Sequence, residues 1–169
     1  MRILVAEDET IIRLDLCSAL SAAGYETIEA RDGSEAVALA QERMAELAIL
    51  DVKMPILDGI EAARRITSAQ QIPIVLVTAY AQPSLVERAI GAGIYAYLVK
   101  PFREADIVPA VETAFARHRD WLETRRELGR RIVPGTQSLD VVVQGTNRYP
   151  LRITKRSDGR VDVTLSDDS

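Results

Sequence analysis

The sequence has very few residues that form crosslinks or bind soft metals. Cys17 is its single cysteine and His118 its single histidine. One cysteine excludes both an intrachain disulfide framework and a cysteine-rich zinc site. With so few sulfur and nitrogen ligands, we expect any bound metal to be a hard cation held by carboxylate oxygens.

Long hydrophobic runs are also missing. The first apolar run, residues 3–6, leads directly into the acidic cluster at residues 7–9. A signal peptide needs a longer apolar region without acids, and no window approaches the roughly 20 apolar residues of a membrane span. The sequence therefore predicts a cytoplasmic protein that does not associate with membranes.

Positive charge is in slight deficit, with 21 Lys+Arg against 25 Asp+Glu. Because binding to nucleic acid or to an anionic membrane needs a net basic surface, we expect neither from the chain as a whole. A local basic patch between Arg117 and Arg131 is the exception. An apolar content of 47 % excludes a disordered chain, and 169 residues suffice for one domain with an addition.

Short apolar runs alternate with helix-like patterns up to about residue 118. The predicted strands are residues 3–6, 25–30, 47–50, 74–78 and 95–99. The predicted helices begin with Thr10 as N-cap, near Ser34, after Gly59, at Pro83 and just before Ile107. Nearly all-apolar strands are typical of a sheet covered on both faces, and this alternation indicates βαβ units. We therefore predict an α/β fold, a doubly wound five-stranded parallel sheet with five helices.

The C-terminal part of the chain has a different pattern. The fifth helix pattern continues past His118 to Leu128, and a Val-Pro-Gly linker follows at residues 133–135. Three short strands are predicted at residues 139–143, 149–155 and 160–165, with a hairpin turn at Asp158-Gly159. Since about 30 residues cannot support a core alone, we expect this tail to pack on the main domain, to pack on a partner, or to stay loose.

These patterns divide the chain into three units. The predicted units are a domain over residues 1–118, a helical extension and linker over 119–134, and a small β-rich tail over 135–169.

Polar residues follow the predicted strands where the strands end. They are Glu7, Asp8, Asp51, Thr78 and Lys100. Because ligands of open parallel sheets bind beyond the carboxyl ends of the strands, we expect these five residues to converge on one cavity. Three neighbouring carboxylates repel one another unless a divalent cation neutralises them, and oxygen ligands suit Mg²⁺.

This set of residues predicts phosphoryl-transfer chemistry. Asp51 would be a nucleophilic carboxylate that attacks a phosphoryl group and forms an acyl phosphate. Mg²⁺ and Lys100 would offset the transition-state charge, and the Thr78 hydroxyl would donate to a phosphoryl oxygen. Each residue alone has a simpler interpretation, such as a helix cap or a solvated charge, but their joint placement favours a site. Because Mg²⁺ takes only one or two carboxylates directly, we expect the longer Glu7 to act through water.

The chain contains the motifs VAEDE at 5–9, LDVKMP at 50–55, Asp58-Gly59, VTA at 77–79 and VKPF at 99–102. Through these motifs, residues 1 to about 118 resemble the receiver domain of two-component response regulators, which has the flavodoxin-like fold. The resemblance implies that Asp51 is the phosphoacceptor and that Asp8, Asp51 and the backbone carbonyl of Lys53 bind Mg²⁺. It also implies that Glu7 supports a metal-bound water and that Thr78 and Lys100 contact the phosphate.

The resemblance further implies a partner and a switch. The phosphodonor would be a sensor histidine kinase, and Lys100-Pro101 would be a cis peptide. On phosphorylation Thr78 would move toward the phosphate and Tyr97 would turn inward. The surface formed by the fourth helix, fifth strand and fifth helix would change with them.

Two hypotheses of different classes describe what the switch controls. The first is control of a protein partner or of a homodimer formed through an apolar stripe on the fifth helix: Val111, Ala114, His118, Trp121 and Leu128. The alternative is nucleic-acid binding through the basic C-terminal helix, because residues 5–16 and 96–102 resemble receivers attached to RNA-binding antiterminator modules. That module is helical, whereas the tail here predicts strands, so the tail does not support this alternative.

An enzymatic function is the least favoured hypothesis. Aspartyl-phosphate hydrolases need a second acid two residues after the nucleophile, and that position is Lys53. We therefore expect no enzyme beyond self-catalysed phosphotransfer and autodephosphorylation.

Overall fold

The computed structural model describes residues 1–79, 92–128, 138–144, 149–155 and 161–165. The strands in these residues are β1 (Arg2–Ala6), β2 (Glu26–Ala30), β3 (Leu47–Asp51), β4 (Ile74–Thr78), β5 (Ile94–Val99), β6 (Ser138–Gln144), β7 (Tyr149–Lys155) and β8 (Val161–Leu165). The helices are α1 (Thr10–Ala22), α2 (Gly33–Glu42), α3 (Gly59–Ala69) and α4 (Glu104–Leu128). The helix predicted at Pro83 and the turn predicted at Asp158-Gly159 lie outside the described residues.

The first five strands form the predicted parallel sheet. Their order is β2-β1-β3-β4-β5, and all neighbours are parallel. In this order the chain moves from β1 to one edge and then returns past β1 to the other edge. The carboxyl ends of β1 and β3 therefore lie side by side at the point where the direction reverses.

Both faces of this sheet are covered, as the nearly all-apolar strands predict. One core cluster contains Leu4, Leu50 and Leu76 from the strands and packs under α2 and α3. The other contains Val5 and Val77 and packs under α1 and α4. Every residue of β3 and β4 is buried, so the polar residues at their carboxyl ends are the first that a ligand can reach.

Aspartates cap two of the helices that enter from this edge. Asp32 Oδ1 accepts hydrogen bonds from the amides of Ser34 and Glu35, and Asp58 Oδ1 does the same for the first turn of α3. The predicted cap of α1 is wrong, because Thr10 is already helical and Glu9 occupies the N-cap position without a side-chain cap bond.

The tail strands extend the sheet beyond β5. β6 pairs with β5 in parallel, and β7 and β8 continue as antiparallel neighbours, so that the sheet has eight strands. The sequence left open whether the tail packs on the main domain, packs on a partner or stays loose. In the structure the tail joins the main domain, because β6 pairs with the edge strand β5.

Three residues of the predicted dimerisation stripe on α4 are buried in the structure. Val111 and Ala114 are fully buried in the core of the chain itself, and His118 is 9 % exposed. The hypothesis of a homodimer through this stripe is therefore wrong for these residues, because the sheet of the same chain already covers them. Among the described helices, none has the combination of length and apolar character that crossing a bilayer requires.

An aromatic stack attaches the second half of α4 to β5. The His118 ring contacts Tyr95 edge-on at 5.2 Å between centroids and lies nearly parallel to Trp121 at 5.9 Å. The Arg125 guanidinium lies 4.8 Å from the Trp121 ring. Burial lowers the pKa of His118, although a hydrogen bond to the backbone of Gln71 opposes this effect.

The lowered pKa of His118 makes stability depend on pH. Below about pH 6.5 the unfolded chain binds a proton at this histidine more readily than the folded chain does, so stability falls as the pH falls. We expect His118→Phe, which keeps an aromatic ring in the stack, to remove this pH-dependent part of the free energy of unfolding. Urea denaturation at pH 7.5 and at pH 5.5 checks this prediction. On acidification, the urea midpoint should fall further in the wild type than in the variant. Equal losses would contradict a buried neutral histidine.

Candidate functional site

Five polar residues meet at the carboxyl edge of the sheet. Glu7 and Asp8 directly follow β1, Asp51 and Thr78 end β3 and β4, and Lys100 directly follows β5. Glu7, Asp51 and Thr78 are buried, with exposures of 0, 4 and 6 %, whereas Asp8 is exposed. Buried polar groups are retained only where they have partners, so each of these side chains should contact another polar group.

Lys100 connects two of the buried acids. Its Nζ lies 2.7 Å from Oε2 of Glu7 and 2.9 Å from Oδ1 of Asp51, with Glu9 further away at 3.8 Å. Its backbone amide donates to the carbonyl of Thr78 at 2.8 Å, which fixes the start of the segment after β5. The lysine is thus held by both its side chain and its backbone.

Three acids form a compact oxygen cluster at the same place. One carboxylate oxygen from each of Glu7, Asp8 and Asp51 lies within 4.8 Å of the others. With Lys100 included, three negative charges face one positive charge, so the fully ionised cluster has a net charge of −2. A divalent cation would neutralise that excess, and the donors are the hard oxygens that Mg²⁺ prefers.

Burial changes the proton affinity of all three paired groups. Desolvation raises the pKa of Glu7 and of Asp51, and the bonds to Lys100 only partly oppose it. Burial, the largest single influence, lowers the pKa of Lys100, but its bonds to Glu7 and Asp51 together outweigh burial and raise that pKa. Burial thus favours the protonated form of both acids, and the two acids favour the protonated form of the lysine.

The backbone after β3 orients Asp51. The amide of Lys53 donates to Oδ2 of Asp51 at 2.7 Å, so that each carboxylate oxygen has one partner. The predicted metal ligand at Lys53 is its carbonyl, on the same turn of backbone. That role stays a prediction.

The two predicted switch residues occupy different environments. Thr78 lies at the carboxyl end of β4 beside the acid cluster, whereas Tyr97 is 2 % exposed and belongs to the core under α2 and α3. Burial raises the pKa of the Tyr97 hydroxyl far above its usual value. The Lys100-Pro101 peptide is cis, as the resemblance implies.

Arg13 is a site residue that the sequence analysis missed. It is 6 % exposed, and its Nη1 donates to the carbonyl of Glu7 at 2.7 Å while Nε pairs with Glu29 at 3.2 Å. It therefore fixes the backbone between β1 and the acid cluster. The available signal was an arginine on the buried side of α1, in line with Cys17 and Leu20.

Gly59, which the sequence shows only as a helix start and as part of the Asp58-Gly59 motif, has a steric role that leads to a prediction about stability. A Cβ at this position would collide with the carbonyl oxygen of Asp51 and lie 3.2 Å from Cα of Val52. Because backbone atoms cannot move aside easily, we expect Gly59→Ala to lower the free energy of unfolding by about 3 kcal/mol.

The matched control for this prediction is Gly24→Ala. Gly24 has a φ of +87° and open space where a Cβ would lie. Backbone strain alone should therefore lower the free energy of unfolding of this variant, by only about 1 kcal/mol. Urea denaturation measures both variants. An equal or smaller loss for Gly59→Ala would show that the close approach to Asp51 is unimportant.

The fold and the acidic edge define a doubly wound α/β domain with its polar site at the strand switch point. The chain belongs to the response regulator receiver domain family of two-component signalling, whose profile matches residues 3–112. The receiver family and the flavodoxin-like fold predicted from the sequence are thereby confirmed. The roles of individual site residues stay predictions.

Individual relatives agree with this assignment. The transcriptional regulatory protein PdtaR of Mycobacterium tuberculosis H37Rv is 53 % identical over 120 residues, which cover 70 % of this chain and 58 % of PdtaR. The transcriptional regulatory protein ResD of Bacillus subtilis 168 is 36 % identical over 116 residues, covering 69 % of this chain and 48 % of ResD. The chain thus spans about half to three fifths of the length of these two relatives.

A solved structure shares the fold. The chemotaxis protein CheY4 of Vibrio cholerae superimposes with a TM-score of 0.64 at 30 % identity, over 67 % of this chain and 97 % of CheY4.

Proposed function

We propose that this chain is a phosphorylation-dependent response regulator in which Asp51 accepts a phosphoryl group from the phosphohistidine of a sensor kinase. The observation that carries the proposal is the position of the Asp51 carboxylate at the carboxyl edge of the sheet. One of its oxygens is 2.9 Å from Lys100 and the other accepts from the Lys53 amide, and it clusters with Glu7 and Asp8. A nucleophilic carboxylate needs this orientation together with nearby positive charge.

The proposed transfer makes one bond and breaks one bond. An Asp51 oxygen attacks phosphorus, the phosphorus–nitrogen bond to the kinase histidine breaks, and the imidazole leaves with the bonding electron pair. Lys100 holds positive charge beside the reacting oxygens, and the Thr78 hydroxyl donates a hydrogen bond to a phosphoryl oxygen. Positioning and fixed charge supply most of the catalysis in such reactions.

The acid cluster fits Mg²⁺. With its acids ionised the cluster has a net charge of −2, and its donors are all hard oxygens, so a small divalent cation would neutralise it. We propose that Asp8, Asp51 and the Lys53 carbonyl bind the ion directly and that the fully buried Glu7 holds a bound water. The ion, when bound, neutralises charge on the transferring phosphoryl oxygens.

The proposed output is a change in the surface around β5. Tyr97 lies in the core two residues before Val99, and Lys100 follows directly and reaches Asp51. A charge added to Asp51 changes the partners of Lys100, and through this continuous segment it biases the packing of Tyr97. That surface would then control a protein partner or the association of two chains.

Labelling by a small phosphodonor tests this proposal. The wild-type protein, incubated with phosphoramidate and Mg²⁺, should gain the mass of one phosphoryl group, and hydroxylamine should release it as expected for an acyl phosphate. A chelator should prevent the gain. Failure to gain mass with excess Mg²⁺, or a modification that resists hydroxylamine, would overturn the proposed chemistry.

A nucleic-acid output is the second candidate function. Two relatives are named as transcriptional regulatory proteins, and the exposed end of α4 carries Arg119 and Arg125. Filter binding of RNA and of duplex DNA at two salt concentrations tests it, because phosphate contacts give affinity that falls steeply with salt. If little RNA or DNA is retained on the filter at both salt concentrations, the nucleic-acid output is rejected and the output through protein contacts stands.

A further inference from the structure

The three acids of the cluster differ in what holds their side chains. Glu7 and Asp51 both pair with Lys100 Nζ, at 2.7 and 2.9 Å. Asp51 also accepts a hydrogen bond from the Lys53 amide at 2.7 Å. The exposed carboxylate of Asp8 has neither a hydrogen-bond partner nor an ion-pair partner among the residues that the structure describes. The position of the Asp8 side chain therefore depends on its backbone.

Asp8 lies in the short connection between β1 and α1, residues 7–9. Neither element includes it, so the regular hydrogen bonds of sheet and helix do not fix it. The amide of Glu7 donates to the Ala30 carbonyl at 3.2 Å, and the carbonyl of the last residue of the connection accepts from the Arg13 amide at 3.0 Å. These two bonds hold the ends of the connection, and they leave the orientation of the peptide group between Glu7 and Asp8 to another contact.

The Arg13 side chain provides that contact. Its Nη1 donates to the Glu7 carbonyl at 2.7 Å, and this carbonyl belongs to the peptide group that continues into Asp8. Because a peptide group is planar, a carbonyl with a fixed orientation also sets the position of the next Cα. A hydrogen bond from a guanidinium is about twice as strong as one between neutral groups. Arg13 therefore restrains the backbone of Asp8.

Glu29 of β2 in turn anchors Arg13. The Nε of the arginine lies 3.2 Å from Oε2 of Glu29, and the arginine side chain is 8 % exposed. A guanidinium donates in two directions at fixed angles, so one side chain can connect β2 with the Glu7 carbonyl. A continuous series of contacts thus extends from β2 through Arg13 to the peptide group of Asp8.

We propose that Arg13 is a positioning residue for Mg²⁺ binding. By fixing the Glu7 carbonyl, it holds the Asp8 carboxylate where that carboxylate can bind the ion. This inference rests on the proposed function, in which Asp8 is a direct ligand. Loss of a group that orients a metal ligand typically weakens metal binding by about 10- to 100-fold.

Calorimetric titration of Arg13→Met with Mg²⁺ tests the proposal. Methionine keeps an unbranched apolar stem in the buried position but cannot donate a hydrogen bond to the Glu7 carbonyl. We expect the Mg²⁺ dissociation constant to rise about tenfold. A pure charge effect has the opposite sign, because the loss of a cation near the acid cluster would tighten Mg²⁺ binding. Unchanged or tighter binding would therefore overturn the proposal.

The rate of phosphoryl transfer from phosphoramidate separates positioning from a general loss of structure. The contacts of the Arg13 side chain are the Glu7 carbonyl and Glu29, and neither is a proposed phosphoryl contact. At saturating Mg²⁺, the rate of Arg13→Met should therefore lie within about threefold of the wild-type rate. A rate that stays far below the wild-type rate at saturating Mg²⁺ would contradict a role in positioning a metal ligand.

Cys17→Ala is the matched control for damage to α1. Cys17 is buried one helical turn after Arg13, on the same side of this helix. The replacement disturbs packing at this side and leaves the contact with the Glu7 carbonyl in place. Cys17→Ala should therefore bind Mg²⁺ like the wild type. A loss of affinity equal to that of Arg13→Met would overturn the proposal, because any disturbance of α1 would then have the same effect.

Replacements of Glu29 provide a second test that leaves Arg13 in place. Glu29 is half-exposed, so its replacement is compatible with folding. Glu29→Ala removes the anchor of the guanidinium and should raise the Mg²⁺ dissociation constant about threefold, as expected for the loss of one hydrogen bond. Glu29→Gln removes the same charge but keeps an oxygen acceptor for Nε, so it should bind Mg²⁺ like the wild type. Equal affinities of these two variants would contradict the anchoring of Arg13 by Glu29.

Backbone NMR relaxation without metal separates this inference from the proposed function. The order parameter of the Asp8 amide should be about 0.85 in the wild type and should fall below about 0.6 in Arg13→Met. An Asp8 amide that stays rigid in Arg13→Met would overturn the positioning role, even if the wild type binds Mg²⁺. A wild type that binds no Mg²⁺ would instead overturn the proposed magnesium site.

Discussion

Replacing Asp51 with asparagine should abolish covalent phosphate incorporation, with a rate loss of at least about 1,000-fold, as for other nucleophile deletions. The amide has no carboxylate oxygen that can form an acyl phosphate. It should nevertheless preserve the local structure, because its carbonyl oxygen can still accept the hydrogen bond from the Lys53 amide. Mass spectrometry after incubation with phosphoramidate and Mg²⁺ measures the effect.

Asp32→Asn is the matched control for this experiment. Asp32 caps α2 at the same edge of the sheet, and asparagine caps helices as well as aspartate does, so this variant should label like the wild type. Undiminished labelling of Asp51→Asn would identify a different acceptor. Loss of labelling in both variants would instead indicate a general effect of removing negative charge from this edge.

The sequence was sufficient to predict which side chains meet at the carboxyl edge of the sheet, because of the geometry of parallel sheets. The strands can be predicted from their apolar composition, and the carboxyl ends of parallel strands must meet at one edge of the sheet. The sequence alone therefore predicted that Glu7, Asp51 and Lys100 lie close together, as they do in the structure. The roles of Arg13 and Gly59 could not be predicted, because both roles depend on backbone atoms. Arg13 binds a carbonyl and Gly59 leaves room for one, and neither contact has a hydropathy pattern.

The tail could be predicted as strands but not placed. Alternation within β7 and β8 is local, whereas the pairing of Val143 with Tyr97 joins residues that are distant in sequence. The stripe on α4 failed for a related reason. An apolar stripe shows that a helix packs on something, and Val111 and Ala114 pack on the sheet of the same chain. In each case the sequence specified a surface without specifying its partner.

Replacing Lys100 with methionine should have two effects of opposite sign. Removing the ammonium takes the ionised acid cluster from a net charge of −2 to −3, so Mg²⁺ should bind about tenfold more tightly. The same change removes the fixed charge beside the reacting oxygens, so phosphoryl transfer from phosphoramidate should slow by about 100-fold. Calorimetric Mg²⁺ titration and timed mass spectrometry measure the two quantities.

The opposite signs separate a charge effect from a collapse of the site. If Lys100→Met merely disordered the edge, Mg²⁺ affinity and transfer rate would fall together. Arg31→Met is the control for overall charge, because Arg31 is an exposed cation just after β2. This control variant should change neither the Mg²⁺ affinity nor the transfer rate by more than a small factor. Lys100→Arg retains a positive charge, so it should bind Mg²⁺ like the wild type. Tighter Mg²⁺ binding in Lys100→Arg, equal to that of Lys100→Met, would show that the shape of the lysine matters here and its charge does not.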